Sequence, residues 1–384
     1  MASLRCGAER WTARWLPAAL LVAAALFGCA TPDTPVPSSG YRPLSASEGR
    51  ALIVRLLPDS LADRGGWATD IFAAVAALDI PPTVDNFCAI IAVTEQESGF
   101  RADPAVPGLA AIAWREIEKE RERAGIPRLV LDAALALPSP TGKSYRERID
   151  AVRTELQLSD VFDDFIGMVP LARRFLADRN PVRTGGPMQV GVAFAESHLR
   201  SKPYPYALTG SVRREVFTRR GGVYFGTAHL LGYAASYERY LYRFADFNAG
   251  WYASRNAAFQ NAVTQLSGIP LSLDGDVLRY ADGAPANEPS STELAVRVLA
   301  RRIGMGEAEI RHDLERGKTA DFDRTRLYQQ VFALADRASG RLVPRAVLPD
   351  IRLQSPKITR ELTTEWFANR VERRFQACRA RVAP

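Results

Sequence analysis

Residues 91–100, Ile91-Ala-Val-Thr-Glu-Gln-Glu-Ser-Gly-Phe100, read as the last turns of a helix. Upstream, Phe87, Ile90, Ile91 and Thr94 recur at the three-and-four spacing of one helix face, Thr83 or Asp85 can cap the start, and Gly99 is a natural stop. Glu97 follows Thr94 by three and continues that face. At the last turn of a mostly buried helix, the charged form of an acid faces partial desolvation and the negative end of the helix dipole. Both favour the protonated form. A carboxyl group that keeps its proton at the lip of a cleft is what general-acid cleavage of a sugar linkage requires. Glu95 stands two residues back, about 200° around the helix, so only one of the two faces a given cleft.

The chain around this helix is globular in composition, with 384 residues, 47% of them hydrophobic and 24% charged, enough to build a sizeable core and too apolar for disorder. Its start reads as a secretion signal over 1–28: Arg5, Arg10 and Arg14 precede an apolar run from Leu16 to Phe27, too short for a permanent spanning helix. The run ends in Leu26-Phe-Gly-Cys29, which resembles a bacterial lipobox. That resemblance makes Cys29 the first mature residue and a lipid carrier, with palmitate among its acyl groups, and Ala30 after it points to an outer-membrane lipoprotein facing the periplasm. Residues 29–46, rich in Pro, Ser and Thr, read as a flexible tether. Cys6 leaves with the signal, so Cys88 and Cys378 remain, in a compartment that permits disulfides. Cys378 sits on an apolar stripe with Leu362, Trp366, Val371 and Phe375. A bond between the two cysteines and a pair of separate buried thiols are both open at this level.

Along the rest of the chain the pattern is helical, with few alternating runs. Ser45-Ala-Ser-Glu48 has the form of a capping box, and Trp67 to Leu78 reads as a second helix closed by Pro81 and Pro82. Between about 104 and 181 lies an insertion-like region. It holds a charged helix from Ala113 to Ala124 and an apolar set from Val161 to Leu176 broken at Pro170, expected as extra helices beside the cleft. In Gly185-Gly-Pro-Met-Gln-Val-Gly191, paired glycines are expected to let the backbone approach a ligand and Pro187 to open the following helix. A Pro- and Tyr-rich loop from Ser201 to Gly210 is expected as a groove wall. Gly222 to Tyr237 reads as a helix of small residues, and Tyr240 to Phe247 continues helically into Asn248-Ala-Gly-Trp251. Turn residues beyond Leu273 mark a boundary, after which Thr292–Ile303, Glu307–Leu314, Thr325–Ala338 and Ile358–Ala380 read as helices. The expected class is all-α, with a first domain over 47–272 and a C-terminal helical extension over 273–384.

Three separated segments resemble one family in the right order: the lytic transglycosylases with a lysozyme-like domain, related to goose-type lysozyme. Glu97-Ser98-Gly-Phe100 matches the family's Glu-Ser-x-Phe, Gly186-Pro-Met188-Gln189 its Gly-Leu-Met-Gln, and Phe244-Ala-Asp-Phe247-Asn248-Ala249-Gly250 its Ala-Ala-Tyr-Asn-Ala-Gly. The resemblance covers roughly 85–260 without the insertion. The chain as a whole resembles a proteobacterial lipoprotein family without an assigned function. The resemblance implies that Glu97 is catalytic, that Ser98, Met188, Gln189, Phe247 and Asn248 position it and the substrate, and that the partner is the peptidoglycan glycan strand. It implies cleavage of the bond between N-acetylmuramic acid and N-acetylglucosamine with closure of an anhydro ring, and no cofactor. Two departures stand out. Phe247 occupies the family's tyrosine position, and the insertion separates motifs that the family joins by a short loop. They leave room for a non-catalytic peptidoglycan-binding protein on the same fold. A muramidase-type hydrolase would need a second carboxylate. Asp103 and Asp246 are the nearest candidates, the first otherwise a turn residue and the second otherwise on the solvent face of its helix.

Other chemistries find little support. His198, His229 and His312 are far apart with no metal-ligand spacing, so no metal is expected. The net charge of +7 suits an anionic surface, yet no basic run interleaved with aromatics points to nucleic acid.

Overall fold

The computed structural model describes residues 44–168, 180–208, 210–281, 283–353 and 361–382. The signal segment, Cys29 and all but the last residues of the tether lie outside them, as do Pro170 and the part of the apolar set that follows it. The described residues are mostly helical, with strands limited to two short hairpins. None of their helices is long and apolar enough to cross a membrane.

In chain order the first elements are α1 (Ala46–Leu56), α2 (Arg64–Ala77) and α3 (Val84–Ser98). Their starts follow the side-chain logic of the sequence. Ser45 and Glu48 form a reciprocal capping box on α1, and Thr83 accepts from the Asn86 amide at the head of α3. Gly99 ends α3 in the left-handed region at φ 58°, where a residue without Cβ carries no steric cost. All residues from Phe87 to Thr94 are buried, so the middle of α3 is enclosed on every side and only its two ends reach the surface.

The insertion is α4 (Leu109–Arg123), α5 (Arg128–Leu135), α6 (Tyr145–Ala151) and α7 (Glu155–Gly167). It closes over its own small core around Leu109, Leu135, Tyr145, Ile149 and Val161, as expected of helices added beside the main body. Arg214 grips Asp160 at 2.9 Å and ties α7 to the chain that follows.

After the insertion come β1 (Thr184–Gly185) and β2 (Val190–Gly191), an antiparallel pair, then α8 (Val192–Ser201), α9 (Val212–Val216), α10 (Arg219–Leu231), α11 (Tyr240–Ala249) and α12 (Ala253–Ser267). Two expectations are corrected here. Pro187 does not open a helix: Gly186 at φ 75° and Gln189 at φ 49° turn the chain back as a hairpin, and α8 begins only at Val192. The helix expected from Gly222 to Tyr237 ends at Leu231, where Gly232 caps it and the chain turns away.

Beyond β3 (Tyr280–Ala281) and β4 (Ala284–Pro285) lie α13 (Ser291–Val298), α14 (Ala300–Ile303), α15 (Glu307–Leu314), α16 (Arg326–Ser339) and α17 (Thr364–Ala380). A second core gathers Phe259 and Val263 of α12 with Val296, Ile310, Phe322, Leu327 and Val331. It therefore begins inside α12, before the turn-rich stretch that marks a boundary in the sequence. The last helix leaves this core: Phe367, Val371, Phe375 and Cys378 of α17 join the first one, built from α1, α2, α3, α10 and α11.

Candidate functional site

The site is best built from α17 outward. Cys378 forms a disulfide with Cys88 near the start of α3, which settles the two readings left open above. Further along, the Arg374 guanidinium lies 3.6 Å from Glu95, and Arg370 Nε donates to Gln96 Oε1 at 3.0 Å. The pairs 88–378 and 96–370 run in opposite senses, so α17 lies antiparallel to α3. The same holds against α11: Phe375 packs on the rings of Tyr240 and Phe244 at 5.0 and 5.6 Å, while Thr364 Oγ1 donates to Asn248 Oδ1 at 2.9 Å. The last turn of α3, with Glu97, and the last turn of α11, with Asn248, thus share one end of a three-helix set. The N-terminal half of α17 touches both.

Glu97 is half-buried at that end. The next residue, Ser98, is buried and holds the turn that follows, its Oγ donating to Thr94 O and accepting from the Arg101 amide, each at 3.1 Å. Phe100 tucks edge-on against Trp67 at 5.2 Å, and the Arg219 guanidinium stacks over the other ring at 5.6 Å. Asp103 Oδ1 is buried and has no hydrogen-bond partner among the described residues.

The hairpin turn seats against α9 and α10. A Cβ on Gly186 would come within 2.0 Å of Val216 O, and one on Gly226 within 2.4 Å of the Met188 sulfur. The glycines permit close approach of backbone to backbone and of Met188 to α10, and not of a ligand as the sequence suggested. Met188 has no exposed surface, so its part in the site is packing. Gln189 is half-buried, and its amide Nε2 donates to Gly186 O at 3.3 Å. The loop expected as a groove wall is tied down by Tyr204, whose hydroxyl donates to the buried Glu215 at 2.7 Å.

At the end of α11 the solvent-face reading of Asp246 is overturned. The side chain is fully buried and accepts from Tyr237 Oη at 2.6 Å, Tyr233 Oη at 3.0 Å and the amides of Tyr252 and Ser254 at 3.0 and 2.7 Å. Burial pushes its pKa up while these donors pull it down. Asp246 anchors the chain reversal that follows Asn248 and has no surface to offer a substrate. Asn248 is exposed, and its Nδ2 has no partner among the described residues. Phe247 is half-buried beneath His229, with ring centres 5.1 Å apart. His229 Nε2 donates to the Phe247 carbonyl at 3.2 Å, a bond that fixes the tautomer, because a carbonyl only accepts. Burial pushes the pKa of His229 down to about 4. Trp251 Nε1 closes the cluster by donating to His229 O at 2.7 Å.

Thr364, Arg370, His229 and the anchoring role of Asp246 were not legible as parts of the site. The one signal was the pair of mature cysteines, which, once joined, bring the C-terminal helix to α3.

A family profile described as "Protein of unknown function (DUF1615)" matches residues 60–381. The chain is also similar to the "Uncharacterized protein YaiW" of Escherichia coli (strain K12), with 50% identity over 359 residues, 94% of this chain and 96% of that one. No solved structure matches it.

Proposed function

The chain belongs to the DUF1615 family, and from that premise we propose that it is a peptidoglycan lytic transglycosylase on a lysozyme-like fold, held as a lipoprotein in the outer membrane and facing the periplasm. What carries the reading is the convergence at one end of the helix set. Glu97 and Asn248, 151 positions apart in the sequence, lie in the last turns of α3 and α11, each of which ends against the N-terminal half of α17, and the Met188 hairpin joins Phe100 in the same core. Those are the three segments that resemble the family's motifs.

In this reading Glu97 donates its proton to the linkage oxygen between N-acetylmuramic acid and N-acetylglucosamine as the glycosidic bond breaks. The resulting carboxylate then accepts the proton of the muramic sugar's own primary hydroxyl as that oxygen bonds to the anomeric carbon. The proton count closes and Glu97 is regenerated. Asn248 offers its free amide to the sugar beside it. No second carboxylate is required, in keeping with the enclosure of Asp246. Asp103, with one buried oxygen unpartnered, favours the muramidase-type alternative, in which it would assist an attacking water. Phe247 favours a third reading, a binding protein without turnover, because it brings no hydroxyl to the acid.

Product chemistry separates the three. Mature protein incubated with purified sacculi releases anhydromuropeptides, detected by mass spectrometry. Reducing-end muramic products would replace this reading with hydrolysis, and co-sedimentation without release would leave only binding.

A further inference from the structure

At the opposite end of α3 from Glu97, eleven residues and about 16 Å back along the axis, lies a cavity of about 340 Å³ that the proposed cleavage does not use. Its lining includes Asp79, Asn86, Tyr233, Tyr240 and Arg243, with an aliphatic wall completed by Leu231. Its size is at the small end of ligand sites.

Two charges face this cavity without having been neutralised. Arg243 is fixed by donating to Tyr233 O at 3.3 Å and Ala235 O at 3.2 Å, with its guanidinium 4.9 Å above the Tyr233 ring. Those bonds use two of its five N–H donors, and no carboxylate pairs with it among the described residues. Asp79 belongs to the same lining, exposed and without a side-chain partner among the described residues. The neighbouring Asp85 is already engaged, 2.8 Å from Arg379. Between the charges the wall is locked: Tyr240 Oη donates to Asn86 Oδ1 at 2.7 Å, and Asn86 Nδ2 donates to Pro81 O at 2.8 Å.

The backbone that carries Asp79 is held by local bonds. It ends α2 at φ 54°, with its own amide donating to Ala76 O and the Ile80 amide to Val75 O. That is the helix-stop position where glycine is least strained. Here the chain places a carboxylate there, at the rim of a cavity that also holds an unpaired guanidinium.

We infer that this cavity recognises a zwitterionic α-amino-acid group, Arg243 taking the carboxylate and Asp79 the ammonium. A guanidinium held in place and a carboxylate that forms no ion pair with it leave room for a ligand carrying both charges on one carbon. A bidentate guanidinium–carboxylate contact suits the remaining donors of Arg243. Two sources share this chemistry: a free amino acid, and the amino-acid end of a diaminopimelate residue in a peptidoglycan stem peptide. The inference does not rest on cleavage, and the test is run on a chain that cannot cleave.

The full mature chain carrying Glu97→Gln is titrated calorimetrically with L-alanine, with meso-diaminopimelate, with the stem tripeptide that ends in diaminopimelate, and with N-acetylated and amidated forms of each. The expected result is saturable binding of at least one uncapped probe, weakened tenfold or more by capping either charge. Tighter binding of the tripeptide than of alanine identifies the wall as the source, and the reverse identifies a free amino acid. Asp79→Gly, which suits the backbone and is expected to leave thermal stability unchanged, should abolish the preference for a free ammonium. Equal binding of capped and uncapped probes overturns the proposal, as does an absence of saturable binding at millimolar concentration.

Discussion

Removing the bond between Cys88 and Cys378, by Cys88→Ala with Cys378→Ala or by reduction, should cost more than any other change at so few atoms. The bond closes a loop across a sequence separation of 290 residues. In the chain-entropy account a loop of that length stabilises by about 6 kcal/mol, because the unfolded chain loses that much freedom. Unfolding entropies near 2 cal/mol/K per residue give a chain of this size about 0.8 kcal/mol/K at its midpoint. The expected fall in Tm is then about 7 °C. The loss also has an address. α17 holds Gln96 and Asn248 through Arg370 and Thr364, and without the staple it is kept by those bonds, by the ion pairs of Arg374 with Glu95 and Arg379 with Asp85, and by packing of Phe367, Val371 and Phe375. Thermal unfolding followed by circular dichroism measures the first effect. Limited trypsin digestion measures the second, since Arg370, Arg373, Arg374 and Arg379 lie on this helix and are cut only when it detaches. An unchanged Tm together with unchanged tryptic resistance would refute the staple, as would two free thiols titrating in the unreduced, denatured protein.

His229, with its pKa pushed down to about 4 by burial, binds fewer protons folded than unfolded between there and the ordinary value near 6.5. Its contribution is full above about pH 6.5 and is lost as pH falls toward 4, by about 3 kcal/mol in all; urea unfolding at pH 7 and pH 4.5 should show that loss shrink by a similar amount in His229→Gln. Phe247→Tyr supplies the hydroxyl that the resemblance expects at that position and should raise the rate of muropeptide release from sacculi several-fold, an unchanged or lower rate counting against a part for that position in the cleavage. Cys29→Ala should move the protein from membrane to soluble periplasmic fractions, and its retention in membranes would contradict lipid attachment at that residue.

The sequence was most readable where a single side chain or dihedral decides the outcome. Ser45 and Glu48, Thr83 and Gly99 bounded α1 and α3 as expected because caps and stops are local. The hairpin at 184–191 was misjudged because Pro187 suits both a helix start and a turn. The choice was made by Val216 and Phe217, which lie against Gly185 and Gly186 and are remote in sequence. Asp246 was misplaced for a related reason. Its helix face looked polar, yet two tyrosines and two amides from beyond the helix arrive to satisfy it, and a carboxylate with four donors can be buried. Glu97 lies half-buried in the last turn of α3, a placement that follows from period and stop alone. Its neighbours on α17 were not legible, since no local pattern specifies that a helix beginning 266 residues after α3 ends will return to it.

The central claim, that Glu97 is the acid of a glycan-cleaving site, is tested most directly by comparing wild type with Glu97→Gln on purified sacculi. Release of anhydromuropeptides is followed by mass spectrometry and retention on the wall by co-sedimentation. The account predicts release by wild type, loss of release by roughly a hundred- to ten-thousandfold in the variant, the range expected when a general acid is removed, and equal co-sedimentation of both. Release that persists in Glu97→Gln, or no release by wild type that still sediments with sacculi, would contradict it.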